Sequence, residues 1–406
     1  MDKKTLLIIG AGLEQIKAYE QARERGLTVV GTDMNPEAPA LAFADYQILA
    51  STRDVNDTCE KVKAFAMDHP IDGVMTIAND VPYTVAKVAE MLGLPGVDPM
   101  AVKNLTNKVV MKKCFESAGV DTPSSFEITS LDQLKEIAAT LTGDFILKPS
   151  DGRGAKGVLL VDQTMDLAWA FDHAAEYSDN SVLILEEFVP GPQLSVEGMF
   201  VDGEYVAVAY ADRNYDNLED TRPYIVEDGG TTPSKYDDAM LEEIRAVIEA
   251  GALSLGINTG SVKADIVLRD GHTPSIIELA GRLSGNYMAT HHIPYAYGID
   301  LVGAVIDFAL GIPVKKSSLQ QKHQRHLGLR FFFPKPGRIT AIEGVETLDA
   351  DPNMYYYAIY PKVGDIQPAI THHGARAGTV MLKGDTYDQA TQNAIDAISR
   401  VRFVIE

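Results

Sequence analysis

Positions 6–9 (LLII) form an unbroken apolar run that stops at Gly10. A run without polar alternation is what a strand buried on both faces requires. A helical stretch follows GAGLEQ as far as Gly26, and a second apolar run at 27–31 leads to Asp33. Positions 46–49 read as a third short strand, 55–69 as a helix, 73–77 as a fourth strand and 81–92 as a helix closed by Gly93. Strands alternating with helices in this way predict βαβ units and a parallel sheet.

The texture changes at Thr106. A helix carrying Lys108, Lys112 and Lys113 runs to Gly119, and Pro123 breaks the pattern. A compact block follows: strand 126–128, helix 131–141, a strand ending in Lys148, a glycine-rich loop, strand 158–161, helix 165–175 and strand 182–186. It predicts a small α+β insert. Beyond Gly191 the chain turns strand-rich, with a hairpin signal at Asp202-Gly203, a helix at 240–255 and two antiparallel strands around Asp270-Gly271. More strands follow from about residue 312, then a helix at 387–401 and a final strand. The expected class is α/β, in three parts: an N-terminal parallel α/β domain over 1–104, a central α+β domain over 105–311 with a lid at about 121–187, and a C-terminal α+β subdomain over 312–406.

Composition narrows the function classes. The chain has 406 residues, with 36 Lys+Arg against 57 Asp+Glu, a formal charge of −21. That balance argues against a nucleic-acid coat or an anionic-membrane binder. A hydrophobic fraction of 46% excludes a largely disordered chain. The only cysteines, Cys59 and Cys114, rule out a disulfide scaffold and a thiolate metal cluster, which points to a reducing cytoplasm. The opening apolar run is too short for a secretory leader, and no stretch approaches the roughly 18 apolar residues of a membrane span.

Four constellations carry chemistry. GAGLEQ follows a buried strand, and Asp33 ends the next one, as in a dinucleotide site; Gln15 stands where the fingerprint needs its third glycine, so a plain tight turn is the better reading. ILKPSDGRGAKGV places Lys148 at a strand end, followed by Gly152, Arg153, Gly154, Lys156 and Gly157. Small residues let backbone N–H groups converge on an anion, and the spacing is not that of the nucleoside-triphosphate loop. VLILEEFVPG ends a buried strand in Glu186-Glu187, whose side chains alternate to opposite faces. Finally, Asp265 and Glu278 interrupt two apolar runs that can pair antiparallel. Apposed carboxylates repel unless a proton or cation lies between them, and an oxygen-only pair suits Mg²⁺ or Mn²⁺. Arg282 follows in GRLSG, and Lys263 precedes Asp265 by two residues on the same face.

Taken in this order, Lys108, ILKP with its loop, LEEFVPG and Asp265…Glu278-x-x-x-Arg282 resemble the ATP-grasp superfamily, over nearly the whole chain, and within it the carboxylate–amine ligases, including bacterial L-amino acid ligases. The resemblance implies ATP and Mg²⁺ (or Mn²⁺) as cofactors. Lys108 and Lys148 would hold phosphates, residues 152–157 would form a flap over them, and Glu186 would accept from the adenine amino group. Glu187 and Val189 would offer backbone groups to adenine. Gln193 stands where many relatives place a ribose-binding acid. Asp265 and Glu278 would be the metal ligands, with Arg282 and Lys263 catalytic. One departure is Ala280, where many relatives have an Asn that binds a further magnesium ion. The implied partners are a small-molecule carboxylate and amine, with a homodimer left open.

The implied reaction is transfer of a phosphoryl group to a carboxylate and attack of an amine on the acylphosphate, behind a flap that excludes water. Carboxyphosphate chemistry of the biotin carboxylase or carbamoyl phosphate synthetase kind, a nicotinamide-dependent oxidoreductase and a non-catalytic nucleotide-binding protein are the alternatives. Among other features, Arg213, Arg222 and the loop 215–233 are specificity candidates. His291-His292 is weighed for a place near the substrate, and His372-His373 is expected at the surface.

Overall fold

The computed structural model describes residues 3–406; Met1 and Asp2 lie outside the described residues. Strands Tyr46–Leu49, Thr28–Asp33, Thr5–Ile9 and Gly73–Met75 lie side by side in that order, all parallel. Alternation within Thr5–Ile9 sends Leu6 and Ile8 into one apolar cluster and Leu7 and Ile9 into another on the opposite face. Helices Ile16–Glu24 and Leu301–Ala309 cover the first face, and helices Val55–Ala66 and Pro82–Leu92 the second. Both faces are sealed, which is why no polar residue interrupts the run.

The lid is a four-stranded antiparallel sheet in the order Ser125–Ile128, Leu183–Glu187, Phe145–Pro149, Leu159–Val161. Helices Leu131–Ala138 and Leu167–Ala175 cover the face that carries Phe145, Leu147, Leu183 and Leu185. Period two then leaves Lys148 and Glu186 together on the other face. The helix predicted over 131–141 stops at Ala138, because the next residues tighten into turns closed by Thr140 N–H on the Ile137 carbonyl.

The central sheet has eight strands. Thr273–Ala280, Gly260–Arg269, Gln193–Val201, Glu204–Asn214 and Gly229–Thr232 are continued by His326–Phe331, Gly378–Gly384 and Met354–Ile359 from the C-terminal stretch. Helix Asp238–Ser254 packs on this sheet through Ile244, Ile248 and Ala252. A separate three-stranded sheet, Ile366–Gln367, Gly337–Glu343 and Arg402–Ile405, completes the C-terminal part. No helix among the described residues is long and apolar enough to cross a membrane.

Candidate active site

The N-terminal domain, lid, central sheet and C-terminal stretch all contribute to one cavity of about 700 Å³. Its floor is the polar face of the central sheet. Val262, Ala264 and Ile266 point into the apolar core, so Lys263 and Asp265 face the cavity. On the neighbouring strand Leu194 and Val196 face the core, leaving Gln193 and Ser195 at the floor. Asp265 pairs in register with Glu278, and a β-bulge follows at once. Bulges re-aim side chains in this way beside functional sites.

The carboxylates are held by cations. Asp265 Oδ1 accepts from Ser195 Oγ at 3.0 Å and lies 3.0 Å from Arg213 Nη1; its other oxygen is bonded to Lys263. Burial pushes the Asp265 carboxyl up, but Arg213 and Lys263 outweigh it and hold the group well below the usual carboxylate range. Glu278 Oε1 lies 3.1 Å from Lys108 Nζ, which also donates to the Gly152 carbonyl at 2.9 Å. Asn107 caps the helix Lys108–Ser117, accepting from Val109 and Val110 N–H at 3.0 and 3.2 Å. The cap fixes the helix start, and the four-residue spacing puts Lys108 and Lys112 on one face.

Facing them from the lid is Glu186, 2% exposed. Lys148 lies 2.7 Å from its Oε2 and Lys112 3.6 Å from its Oε1, which has no hydrogen-bond partner. Burial raises the Glu186 pKa, yet Lys112 and Lys148 together bring it below its ordinary value. Burial takes Lys112 down to about 8 despite that carboxylate. Glu187 turns the other way, 2.7 Å from Arg269, and its N–H is spent on the Ser124 carbonyl.

Arg282 donates from Nε to Asp80 Oδ1 at 2.7 Å. Asp80 belongs to the loop after Gly73–Met75, and Ile77 bridges to Leu283 beside it. Beneath this corner lies Glu197, fully buried, accepting Ser284 N–H at 2.7 Å while its Oε2 has no partner. Burial pushes its carboxyl up to about 7, against the pull of Ser284 and Arg282.

The structure brings Lys108, Lys148, Gly152, Arg153, Gly154, Glu186, Glu187, Val189, Gln193, Lys263, Asp265, Glu278 and Arg282 to the cavity wall. Lys156 is exposed outside that wall. Gly157 is packed beneath the loop, where a Cβ would stand 3.0 Å from Tyr177 and 3.1 Å from Pro149. Arg213, a specificity candidate from the sequence, lines the cavity between Asp265 and Glu227, while Arg222 pairs with Glu219 and Asp144 away from the cavity. His292 lines the cavity, 3.1 Å from Thr232 Oγ1, and burial lowers its pKa to about 3. The surface expectation for His372-His373 does not hold for His373. It faces the cavity, and its N–H donates to the Gly154 carbonyl at 3.1 Å, docking the C-terminal stretch on the glycine-rich loop. Asp80 and Arg376 also line the cavity without any signal in the sequence, and so do Glu14, within GAGLEQ, and Glu227, within the loop 215–233.

At GAGLEQ, Asp33 accepts from Ala11 and Asn35 N–H groups at 3.0 and 2.9 Å. The Gln15 side chain accepts from Gly12 N–H and donates to the Ile77 carbonyl at 3.0 Å. The turn satisfies its own polar groups, as the plainer reading of that motif expects.

Comparison with known proteins accords with this geometry. Residues 105–286 match the ATP-grasp domain model, residues 19–96 the ATP-grasp N-terminal domain and residues 330–406 the L-amino acid ligase C-terminal domain 2. The alanine–anticapsin ligase of Bacillus subtilis (strain 168) is 26% identical over 247 residues, 55% of this chain and 50% of that protein. Carnosine synthase 1 of Gallus gallus is 24% identical over 379 residues, 85% of this chain and 40% of that one. The chain spans 50% to 60% of the length of the anticapsin ligases it matches. The crystal structure of L-amino acid ligase from Bacillus licheniformis superposes with a TM-score of 0.86 at 20% identity, covering 100% of this chain and 99% of that one. Phosphoribosylglycinamide synthetase from Anaerococcus prevotii follows at 0.76 and 21%, with both chains fully covered. At these identities the likeness is one of fold. With an ATP-grasp domain between its N-terminal companion and an L-amino acid ligase C-terminal domain, the chain belongs to the ATP-grasp superfamily.

Proposed function

We propose that the chain is an ATP-dependent ligase that activates a small-molecule carboxylate as an acylphosphate and joins it to an amine, releasing ADP and phosphate. The observation that carries this reading is the register pair Asp265–Glu278, set among Lys108, Lys148, Lys263, Arg213 and Arg282 beneath a glycine-rich loop. So much buried charge disfavours folding by itself, and it is what phosphoryl transfer uses. The family matches and the fold shared with L-amino acid ligase support the same reading.

The donor set fits a hard divalent cation. Asp265 and Glu278 offer only oxygen, with the Ser195 hydroxyl alongside. Among the described residues no three His, Cys, Asp or Glu side chains converge as a metal cluster. A pair of carboxylates suits Mg²⁺ or Mn²⁺ that completes its shell with phosphate oxygens and water. When bound, the ion neutralises charge on the triphosphate. The absence of an Asn at Ala280 leaves these two carboxylates as the ligands this chain supplies.

The remaining work belongs to the protein. Lys108 and Lys148 leave their carboxylate partners to meet phosphate oxygens, and the amides of residues 152–154 close over them. A carboxylate oxygen of the substrate attacks the γ-phosphorus as the bond to ADP breaks. Arg282, oriented by Asp80, faces the charge that develops. The amine nitrogen then attacks the acyl carbon and loses a proton, and phosphate departs with the former carboxylate oxygen. The docking of His373 on Gly154 helps to keep water out meanwhile. The nicotinamide alternative is weakened by Gln15, which takes up the Gly12 N–H that a pyrophosphate would need.

The test is a matrix of carboxylates and amines, with phosphate release and product mass as readouts. Phosphate release that requires both partners, with an amide product, is expected. Turnover with bicarbonate alone, or none with any pair, would contradict the reading.

A further inference from the structure

Lys263 and Glu197 stand opposite each other on adjacent strands, yet they do not pair. The register of Gly260–Arg269 against Gln193–Val201 matches Lys263 with Glu197 and Asp265 with Ser195, all on the face turned away from the apolar core. Directly opposed residues have Cβ atoms about 4.5–5.5 Å apart, whereas residues two apart along a strand are about 6.8 Å apart. Lys263 nonetheless bonds the carboxylate along its own strand, Asp265, and among the described residues its side chain makes no other hydrogen bond. Glu197 is fully buried. One of its oxygens accepts Ser284 N–H at 2.7 Å, and the other, Oε2, has no partner.

The neighbouring cations are anchored and Lys263 is not. Arg213, also on Asp265, is held by Glu227 at 3.0 Å and lies 5.3 Å from the Tyr215 ring centroid. Arg282 donates from Nε to Asp80 at 2.7 Å and from Nη1 to the Leu283 carbonyl at 3.3 Å. Lys263 has a flexible four-carbon stem and a single bond. A divalent cation on Asp265 repels the ammonium group beside it, and Lys263 is the group free to give way. The vacant oxygen opposite it in register is Glu197 Oε2.

From this register we infer that Glu197 is a positioning residue for Lys263: when a metal ion takes Asp265, the Lys263 ammonium crosses to Glu197 Oε2, and when the metal leaves, it returns to Asp265. The exchange spares the loaded floor an unpaired ammonium and gives buried Glu197 the partner it lacks. Burial without such a partner is what pushes the Glu197 carboxyl up to about 7. Without Glu197 the ammonium stays on Asp265 and competes with the metal. The exchange rests on the reading of Asp265 and Glu278 as metal ligands.

The direct test is a crystal structure of the unmutated full chain with Mn²⁺ and ADP at pH 8, above the raised pKa of Glu197. Mn²⁺ should sit on Asp265, with Lys263 Nζ within hydrogen-bond distance of Glu197 Oε2. Mn²⁺ on Asp265 with Lys263 still on that carboxylate, or on a phosphate oxygen, would overturn the exchange and leave the ligase reading standing. No Mn²⁺ at Asp265 and Glu278 would overturn the metal assignment and the exchange with it. A binding cycle tests the same point in solution, with free Mn²⁺ measured by its electron paramagnetic resonance signal at pH 8 without nucleotide. Glu197→Gln should weaken Mn²⁺ binding by roughly tenfold to a hundredfold, the range of a charge-assisted contact. In a Lys263→Gln background it should lose most of that effect. Equal weakening in both backgrounds would contradict the exchange, because a merely structural Glu197 acts whether or not Lys263 is present.

Discussion

Arg282 and Asp80 meet at 2.7 Å across a domain boundary: the guanidinium follows the strand of Glu278, and the carboxylate leaves the N-terminal sheet. Burial raises the Asp80 carboxyl, but Arg282 outweighs it and holds the group below its ordinary range. Arg282 is accordingly oriented by the N-terminal domain, which gives that domain a part in the chemistry beyond packing. Asp80→Asn keeps the shape and removes the charge. It is expected to lower kcat by about tenfold to a hundredfold, the range for loss of an aimed electrostatic contact, with little change in KM for ATP. Steady-state kinetics over a range of ATP concentrations checks this, and a pure KM effect would remove Asp80 from the account.

Glu278→Gln should abolish ATP turnover while the thermal melt stays close to that of the unmutated protein. The side chain is part-exposed and its main partner is Lys108, so the fold does not depend on it. Phosphate release at saturating Mg²⁺ is the measurement. Turnover near the original rate would mean that the Asp265–Glu278 pair binds no catalytic metal.

Glu197 makes stability depend on pH in a definite direction. Its folded pKa is about 7, raised from 4.5 by burial. Between those values the folded chain keeps a proton that the unfolded chain gives up, so this residue's contribution is full below about pH 4.5 and is lost as pH rises through 7. The ceiling is about 3 kcal/mol, from about 1.4 kcal/mol per pKa unit. Glu197→Gln retains an oxygen for Ser284 N–H and cannot ionise. Its melting temperature should exceed that of the unmutated protein at pH 8 and approach it near pH 5. A stability difference independent of pH would show that Glu197 does not carry the raised pKa.

Beyond Asp151 the loop leading to Leu159 is tied to the rest of the molecule by few bonds, the Gly152 carbonyl accepting from Lys108 and the Gly154 carbonyl from His373 N–H. Few contacts imply easy local opening. Amides from Gly152 to Val158 should exchange quickly without ligand and slow markedly with a non-hydrolysable ATP analogue and Mg²⁺. Equal protection in both conditions would rule out a closing flap.

Residues that interrupt a regular pattern were readable in advance. Lys148 ends an apolar strand, and Asp265 and Glu278 each break one, so their chemistry stood out against the period of their neighbours. The hairpin at Asp270-Gly271 supplied the register that brings the last two together. Asp80 and Arg376 lie in loops and Glu14 in the single 3-10 turn Leu13–Gln15, none of which has a period to break, and they meet only because domains distant in sequence pack together. His373 was misjudged for the same reason: a turn near the C-terminus reads as surface until the glycine-rich loop is seen to dock on it.

The central claim is that the carboxylate is phosphorylated before the amine attacks, and oxygen tracing tests it most directly. A carboxylate substrate identified by phosphate release is labelled with ¹⁸O in both oxygens and turned over with ATP, Mg²⁺ and the amine. The account predicts one ¹⁸O in the released phosphate and one retained in the amide carbonyl. Phosphate free of label would contradict it, because the carboxylate oxygen would never have been bonded to phosphorus.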